Sequence, residues 1–249
     1  MDFQIWSADQ YLSKTIVLAY KAYLCEHYAP ASVNAAISSL NSFFNYMEWF
    51  DLRVKNLKIQ KQIFASTDKE LTKAEYDRLL QAAKQKKNER LYLLIQTICS
   101  TGIRVSEVRY VTVEAVARGI AEINCKGKRR QVFLPKQLCQ ILKQYIKEQK
   151  IKSGAVFVTK NGNPLDRSNV WSDMKKLCKA ANVSEKKVFS HNLRHLFART
   201  FYSLQKDIVR LADVLGHSSI NTTRIYTMET GEIHKKQIEK LGLFRCSIT

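Results

Sequence analysis

Three short segments of the chain gather side chains that can do chemistry together. In Thr101-Gly102-Ile103-Arg104-Val105-Ser106-Glu107 an arginine follows a glycine suited to end a helix, Ser106 has the form of an N-cap, and Glu107 falls in the next first turn. Arg104 is thereby held on fixed backbone near a helix start, where a guanidinium fork and orphan N–H groups suit a phosphate. In Ser190-His191-Asn192-Leu193-Arg194-His195, His191 and Arg194 stand three apart and share a helix face. That pair sets a proton-transfer group beside a second bidentate anion donor. His191 and His195 also have the spacing of HExxH zinc helices, but position 192 is Asn where that motif has its Glu base, and no third ligand is evident. The segment therefore reads as metal-free, with His195 a packed, hydrogen-bonded histidine. In Leu215-Gly216-His217-Ser218-Ser219-Ile220-Asn221-Thr222-Thr223-Arg224-Ile225-Tyr226, a glycine precedes His217 and a polar cluster precedes Tyr226, the pattern of a loop entering a helix. A lone tyrosine is usually a packing residue; this one lies downstream of two arginines and two histidines.

The elements that must position these groups are mostly helical. Apolar residues recur at Val33, Ala36, Ile37, Leu40, Phe43, Phe44, Met47 and Phe50, the spacing of one helix face, and Ile16, Leu18, Tyr20, Tyr23 and Leu24 fit a preceding helix. Residues 8–64 read as a small helical domain, and the polar stretch Ala65–Glu70 as a linker. Thr72 with Glu75 forms a capping-box signal for a helix through Leu79 and Leu80. Leu91–Ile98 opens a buried helix closed near Gly102. Ile120–Cys125 and Gln131–Leu134 read as strands about a turn Lys126-Gly127-Lys128-Arg129, with Ala155–Thr159 a third candidate strand followed by the turn Asn161–Pro164. Leu138, Ile141, Leu142, Tyr145 and Ile146 mark an amphipathic helix, and the pattern is helical again from Val170. The fold class is thus mainly α with a small antiparallel β-sheet, in two domains, 1–66 and 67–249.

Composition narrows the partners. The 249 residues are 45% apolar and 25% charged, values of an ordinary globular chain, and 8 Gly with 3 Pro exclude collagen-like architecture. The basic excess is large, 41 Lys plus Arg against 22 Asp plus Glu. Residues 1–66 carry 6 basic and 5 acidic side chains, so net +18 lies in residues 67–249. Such an excess points to a polyanion such as DNA, RNA or an acidic surface. No apolar run approaches the roughly 20 residues that span a bilayer, so no membrane partner is expected. The start MDFQIWSADQ lacks a signal peptide's basic opening and apolar core, giving a cytoplasmic expectation. Six cysteines without a CxxC pair read as buried reduced thiols.

The segments TGIRVSE, HNLRH and LGHSSINTTRIY, in this order and at these separations, resemble the signature boxes of the tyrosine recombinase, or phage integrase, family. The boxes span residues 101–226, and residues 8–60 resemble that family's core-binding domain. Within the family the chain is most similar to Xer-type recombinases and integrases of bacterial mobile elements, without the N-terminal arm-binding domain of many phage integrases. The resemblance implies that Arg104 and Arg194 grip the scissile phosphate, that His191 opens the HxxR box, that His217 donates to a phosphate oxygen, and that Tyr226 is the nucleophile. It also implies a catalytic lysine in a β-hairpin turn. Lys126 aligns best with it, although this turn is one residue short, leaving Lys128 as the alternative; Lys128, Arg129 and Arg130 would then contact DNA.

That set is chemically coherent. A phosphodiester in flight carries charge on two non-bridging oxygens that paired arginines can neutralise. A tyrosine hydroxyl, of ordinary pKa about 10, needs a proton acceptor near neutrality, and His191 is the candidate. The leaving 5′-oxygen needs a proton, which a hairpin lysine can supply. No metal or other cofactor is required, and no P-loop is present. The implied partners are double-stranded DNA with paired half-sites and further copies of the chain, dimer and tetramer. Residues 232–244 put Ile233, Ile238, Leu241 and Leu243 or Phe244 opposite Lys235, Lys236 and Lys240, a tail that covers either its own domain or a neighbour's. Two other readings stand beside the recombinase: a type IB topoisomerase-like enzyme with the same chemistry, and a catalytically idle DNA-binding regulator.

Overall fold

The structure is a computed structural model that describes residues 3–6, 11–59, 70–125, 128–226, 235 and 238–241. The chain divides into two compact units, Met1–Gln62 and Ile63–Thr249.

In the first unit, α1 (Phe3–Trp6), α2 (Lys14–His27) and α3 (Pro30–Tyr46) are followed by a 3-10 turn, Phe50–Leu52. Val17, Tyr20 and Leu24 of α2 pack with Val33, Ile37 and Phe44 of α3, the three-, four- and seven-residue spacing of facing apolar stripes. Phe43, Met47 and Phe50, read from sequence as members of the same face, are exposed instead. The helical reading of residues 8–64 also fails over residues 53–59, which have no regular structure. Two asparagine side chains of α3 hold that segment by pairing with its backbone. Asn41 accepts from the Val54 N–H at 3.0 Å and donates to the Val54 carbonyl at 2.8 Å; Asn34 does the same with Leu57 at 2.7 and 3.0 Å. Amide side chains thus satisfy backbone groups that a helix would have paired internally.

The second unit runs α4 (Lys73–Gln85), α5 (Glu89–Thr101), a 3-10 helix Val105–Tyr110, α6 (Val113–Arg118), β1 (Ile120–Cys125), β2 (Lys128–Phe133), α7 (Lys136–Glu148), α8 (Arg167–Lys175), α9 (Cys178–Ala181), α10 (Ser190–Gln205), α11 (Ile208–Leu215) and α12 (Ile220–Arg224). The capping box at α4 is formed, Thr72 N–H donating to Glu75 at 2.8 Å and Glu75 N–H to Thr72 Oγ1 at 3.2 Å. Helix α5 is buried along Leu91, Leu94, Ile95 and Ile98 and packs against α10. Its end is Gly102, at φ +65°, where an added Cβ would lie 2.4 Å from the Phe197 ring of α10. Both the left-handed backbone and the close approach therefore require glycine there.

Three local readings are corrected. Strand β2 begins at Lys128, not Gln131, because Lys128 and Arg129 pair with Cys125 and Asn124 in the antiparallel ladder. Ala155–Thr159 is no strand; isolated bridges tie Ala155 to Thr112 and Val158 to Pro164, so the sheet has two strands among the described residues. Ser106 is no N-cap, since the 3-10 helix starts at Val105; Thr112 caps α6 instead, accepting from Ala115 N–H at 3.1 Å. Of the cysteines read as buried thiols, Cys139 and Cys178 are buried, Cys99 is half-buried and Cys25 is exposed. The C-terminal tail lies largely outside the described residues; Ile238 and Leu241 are exposed. No helix among the described residues is long and apolar enough to cross a membrane.

Candidate active site

Helix α10 supplies the centre. Arg194, on the face turned toward the end of α5, is only 2% exposed. Its guanidinium donates to the Gly102 carbonyl, to the Leu215 carbonyl at 2.9 Å, and to Nε2 of His217 at 2.9 Å. One side chain therefore ties the C-terminal ends of α5 and α11 to α10. Among the described residues Arg194 has no carboxylate partner. Burial and the nearby Arg104 charge lower its pKa to about 10, with Tyr226 opposing.

His217 follows Gly216, whose φ of +65° closes α11. An arginine nitrogen can only donate, so Nε2 of His217 is an acceptor; the single ring proton of the neutral form then sits on Nδ1, which faces Thr223 Oγ1 at 2.8 Å. Burial, then the charges of Arg194, Arg104 and Arg130, lower the His217 pKa to about 4.

Tyr226 is 4% exposed and packs with Ala198, Leu211 and Leu215. Its ring stacks on His217 at 5.9 Å and 16°, meets His195 edge-on at 4.5 Å, and lies 6.5 Å from His191. His195, read from sequence as a packed histidine, is wedged between the His191 and Tyr226 rings. Its pKa falls to about 4 through burial and the charges of His191, Arg199 and Arg194. His191 sits on the more open face and is also lowered, by burial and by Arg194, Arg104 and Arg167.

Arg104 is organised by a residue that the sequence reading treated only as a first-turn glutamate. Glu107 accepts from the Arg104 backbone N–H at 2.9 Å and from its Nη1 at 3.0 Å. Arg130 Nη2 donates to the same carboxylate at 2.6 Å. Burial alone would raise the Glu107 pKa, but Arg130 and the Arg104 backbone hydrogen bond, with both arginine charges, hold it below the usual carboxylate range. The i, i+3 spacing from Arg104 was the available signal. With one carboxylate among Arg104, Arg130 and Arg194, the pocket keeps a positive excess, the condition for an anion.

The structure brings together Arg104, His191, Arg194, His217 and Tyr226. Lys126 and the Lys128 side chain lie outside what the structure describes. Arg129 is exposed. Arg130 is turned inward, with its side chain 14% exposed. Among the described residues no group of three His, Cys, Asp or Glu is arranged to hold a metal ion.

Two half-buried histidines of depressed pKa set an expected stability profile. His195 and His217 stay neutral in the fold to about pH 4, against an ordinary value of 6.5. Between those values the unfolded chain binds more protons, so stability is full above pH 6.5 and falls as pH drops toward 4. Thermal unfolding from pH 7.5 to 4.5 should show a declining melting temperature, and His217→Gln should flatten the decline; a flat wild-type curve would contradict these assignments.

The profile of the Phage integrase family matches residues 69–232. This chain belongs to the phage integrase family. It is 30% identical over 226 residues to tyrosine recombinase XerA of Pyrococcus furiosus, covering 87% of this chain and 76% of that one. To tyrosine recombinase XerD of Lacticaseibacillus casei it is 29% identical over 250 residues, covering 90% and 83%. Among solved structures, XerH site-specific recombinase bound to difH substrate in a pre-cleavage complex matches with a TM-score of 0.70 at 22% identity, covering 94% of this chain and 72% of that one. The Tn1549 transposon integrase in complex with transposon right-end DNA matches with a TM-score of 0.69 at 18% identity, covering 92% and 85%. At these identities the two structures speak for the fold.

Proposed function

We propose that the chain is a site-specific DNA recombinase that cleaves and rejoins strands through a 3′-phosphotyrosyl intermediate. The observation that carries this reading is the convergence of Tyr226, His217 and the buried, carboxylate-free Arg194 on one positively charged pocket. Arg104 and Arg194 bind the non-bridging oxygens of the scissile phosphate. The Tyr226 oxygen attacks phosphorus, its proton passes to His191, and the P–O5′ bond breaks. Lys126 protonates the departing 5′-oxygen. The reverse steps, with a new 5′-hydroxyl attacking the phosphotyrosine, reseal the strand and return the proton to Lys126. The ester conserves the bond energy, so resealing needs no nucleotide.

The lowered pKa of His191 keeps it unprotonated near neutrality, as a base must be. His217 must carry a proton on Nε2 to donate to a phosphate oxygen, and a bound phosphate's negative charge favours that protonated form. Residues 1–66 form an N-terminal helical core-binding domain, with 67–249 catalytic. Paired half-sites on duplex DNA assemble two and then four copies, in the cytoplasm where the DNA lies.

A nicked suicide duplex drawn from repeats flanking the coding region tests the reading. Wild-type protein should form an SDS-resistant adduct whose tryptic peptide carries the nucleotide on Tyr226. Two-site substrates should give exchanged products; relaxation of one-site plasmids without exchange would instead favour a topoisomerase-like enzyme, and absence of any adduct an idle binder.

The hairpin lysines separate by leaving-group chemistry. Losing a general acid costs about 10²–10⁴-fold in rate, and a 5′-sulfur leaving group needs no proton. Lys126→Ala should lose that much on normal DNA and recover with the sulfur substrate, while Lys128→Ala weakens binding without recovery. The opposite pattern would exchange their roles.

A further inference from the structure

Arg130 belongs to a run of basic residues, Lys128-Arg129-Arg130, that reads as a strip for phosphate contacts, yet it faces the other way. In the ladder it is paired with Ile123, which is buried, and it precedes buried Val132 by two positions, so all three share the inner face of the hairpin. Arg129 and Gln131 take the outer face.

The guanidinium of Arg130 meets two separate parts of the active site. Nη2 donates to Glu107 Oε2 at 2.6 Å, and Nη1 donates to the Val214 carbonyl at 3.0 Å, one turn before His217. Its stem fills the space beside Gly216, where an added Cβ would lie 2.3 Å from Cδ and 2.9 Å from Nε. Glu107 in turn holds the Arg104 backbone N–H and Nη1. The buried Nε–H of Arg130 has no partner among the described residues. That side chain accepts an unmet donor while spanning the hairpin, the Arg104 segment and the Gly216–His217 turn.

Resting on the recombinase reading above, we propose that Arg130 is a positioning residue for strand cleavage. It orients Arg104 through Glu107 and seats the His217 turn through Val214, without touching DNA itself. Only a planar fork can reach both acceptors; a lysine carries the charge but is a point donor. Small displacements of groups aligned on a reacting centre can cost about 100-fold, so the residue should matter for rate far more than for binding.

The test compares wild type, Arg130→Lys, Arg130→Gln and Glu107→Gln, all full length, on the nicked suicide duplex and on the same duplex with an uncharged methylphosphonate at the scissile position. Adduct formation is followed in single turnover, with DNA affinity and melting temperature measured alongside. A methylphosphonate has lost the charge that Arg104 neutralises, so a defect in aiming Arg104 should matter less on it. Arg130→Lys should slow adduct formation on the phosphodiester by about 10- to 100-fold relative to wild type. DNA affinity should stay within about twofold, and most of the relative loss should vanish on the methylphosphonate. Glu107→Gln should follow the same pattern, and the double variant should lose little more than either single one, because both lie on one path.

Wild-type rates in Arg130→Lys and Arg130→Gln would overturn the proposal. So would equal losses on both substrates accompanied by a lowered melting temperature, the mark of a purely structural residue. A fall in DNA affinity with a shallower salt dependence would make Arg130 a phosphate contact instead. Wild-type protein that forms no adduct would overturn the recombinase reading, and this proposal with it.

Discussion

Replacing Tyr226 with phenylalanine should abolish the SDS-resistant protein–DNA adduct while duplex binding and folding persist. The ring is buried against Ala198, Leu211 and Leu215, stacks on His217 and meets the edge of His195. Phenylalanine fills the same volume, and such swaps usually cost under about 1.5 kcal/mol. What is lost is the hydroxyl, the proposed attacking atom. With no nucleophile the rate does not decline by a factor; the adduct falls below detection. The measurement is a denaturing gel with labelled suicide DNA, paired with a native gel for binding. An adduct formed by Tyr226→Phe would mean that another hydroxyl attacks, and would end the assignment.

Arg194→Ala should be the most damaging substitution for fold and activity at once. The side chain serves two buried carbonyls at helix ends and the half-buried acceptor nitrogen of His217. Each buried polar group left without its partner costs about 1–3 kcal/mol, so the melting temperature should drop markedly. Removing a preorganised donor from the developing phosphate charge costs a further 10²–10³-fold in rate, by the scale of oxyanion-hole deletions, about 3–4 kcal/mol. Arg194→Lys separates the two effects. A lysine keeps the charge but cannot span Gly102, Leu215 and His217 together, so it should recover part of the stability and little of the cleavage. Cleavage by Arg194→Lys at the wild-type rate would show that a point charge suffices and that the fork is structural only.

The pH profile, the sulfur leaving group and the methylphosphonate comparison probe separate parts of the proposed mechanism: neutral histidines, the proposed hairpin acid and the proposed aiming of Arg104 through Glu107. The first reads folding alone, so it stands whether or not the DNA substrate has been found.

Much of the second unit was legible because its signals are local. A capping box acts over three residues, so Thr72 and Glu75 announced α4. The buried face of α5 repeats at three and four, and Gly102 ends it because the chain there turns left-handed. The order Arg104, His191, Arg194, His217, Tyr226 could be read as a chemical set before any distance was known. Other features had no local signal. Residues 53–59 follow a helical stretch in sequence, yet asparagines 13 and 23 positions upstream pair with their backbone and hold them extended along α3.

From sequence alone came the helices set by caps and periodicity, the two-stranded hairpin, the basic excess and the residue types available for phosphate chemistry. Tertiary structure alone decided which of those residues face one another. Arg194 meets the Gly102 carbonyl across 92 residues because α10 packs on α5, and Arg130 meets Glu107 across 23 because the hairpin turns its Ile123–Val132 face inward. Local propensity reaches only a few residues along the chain, whereas a buried guanidinium takes whichever acceptors the packing of distant elements leaves within its reach.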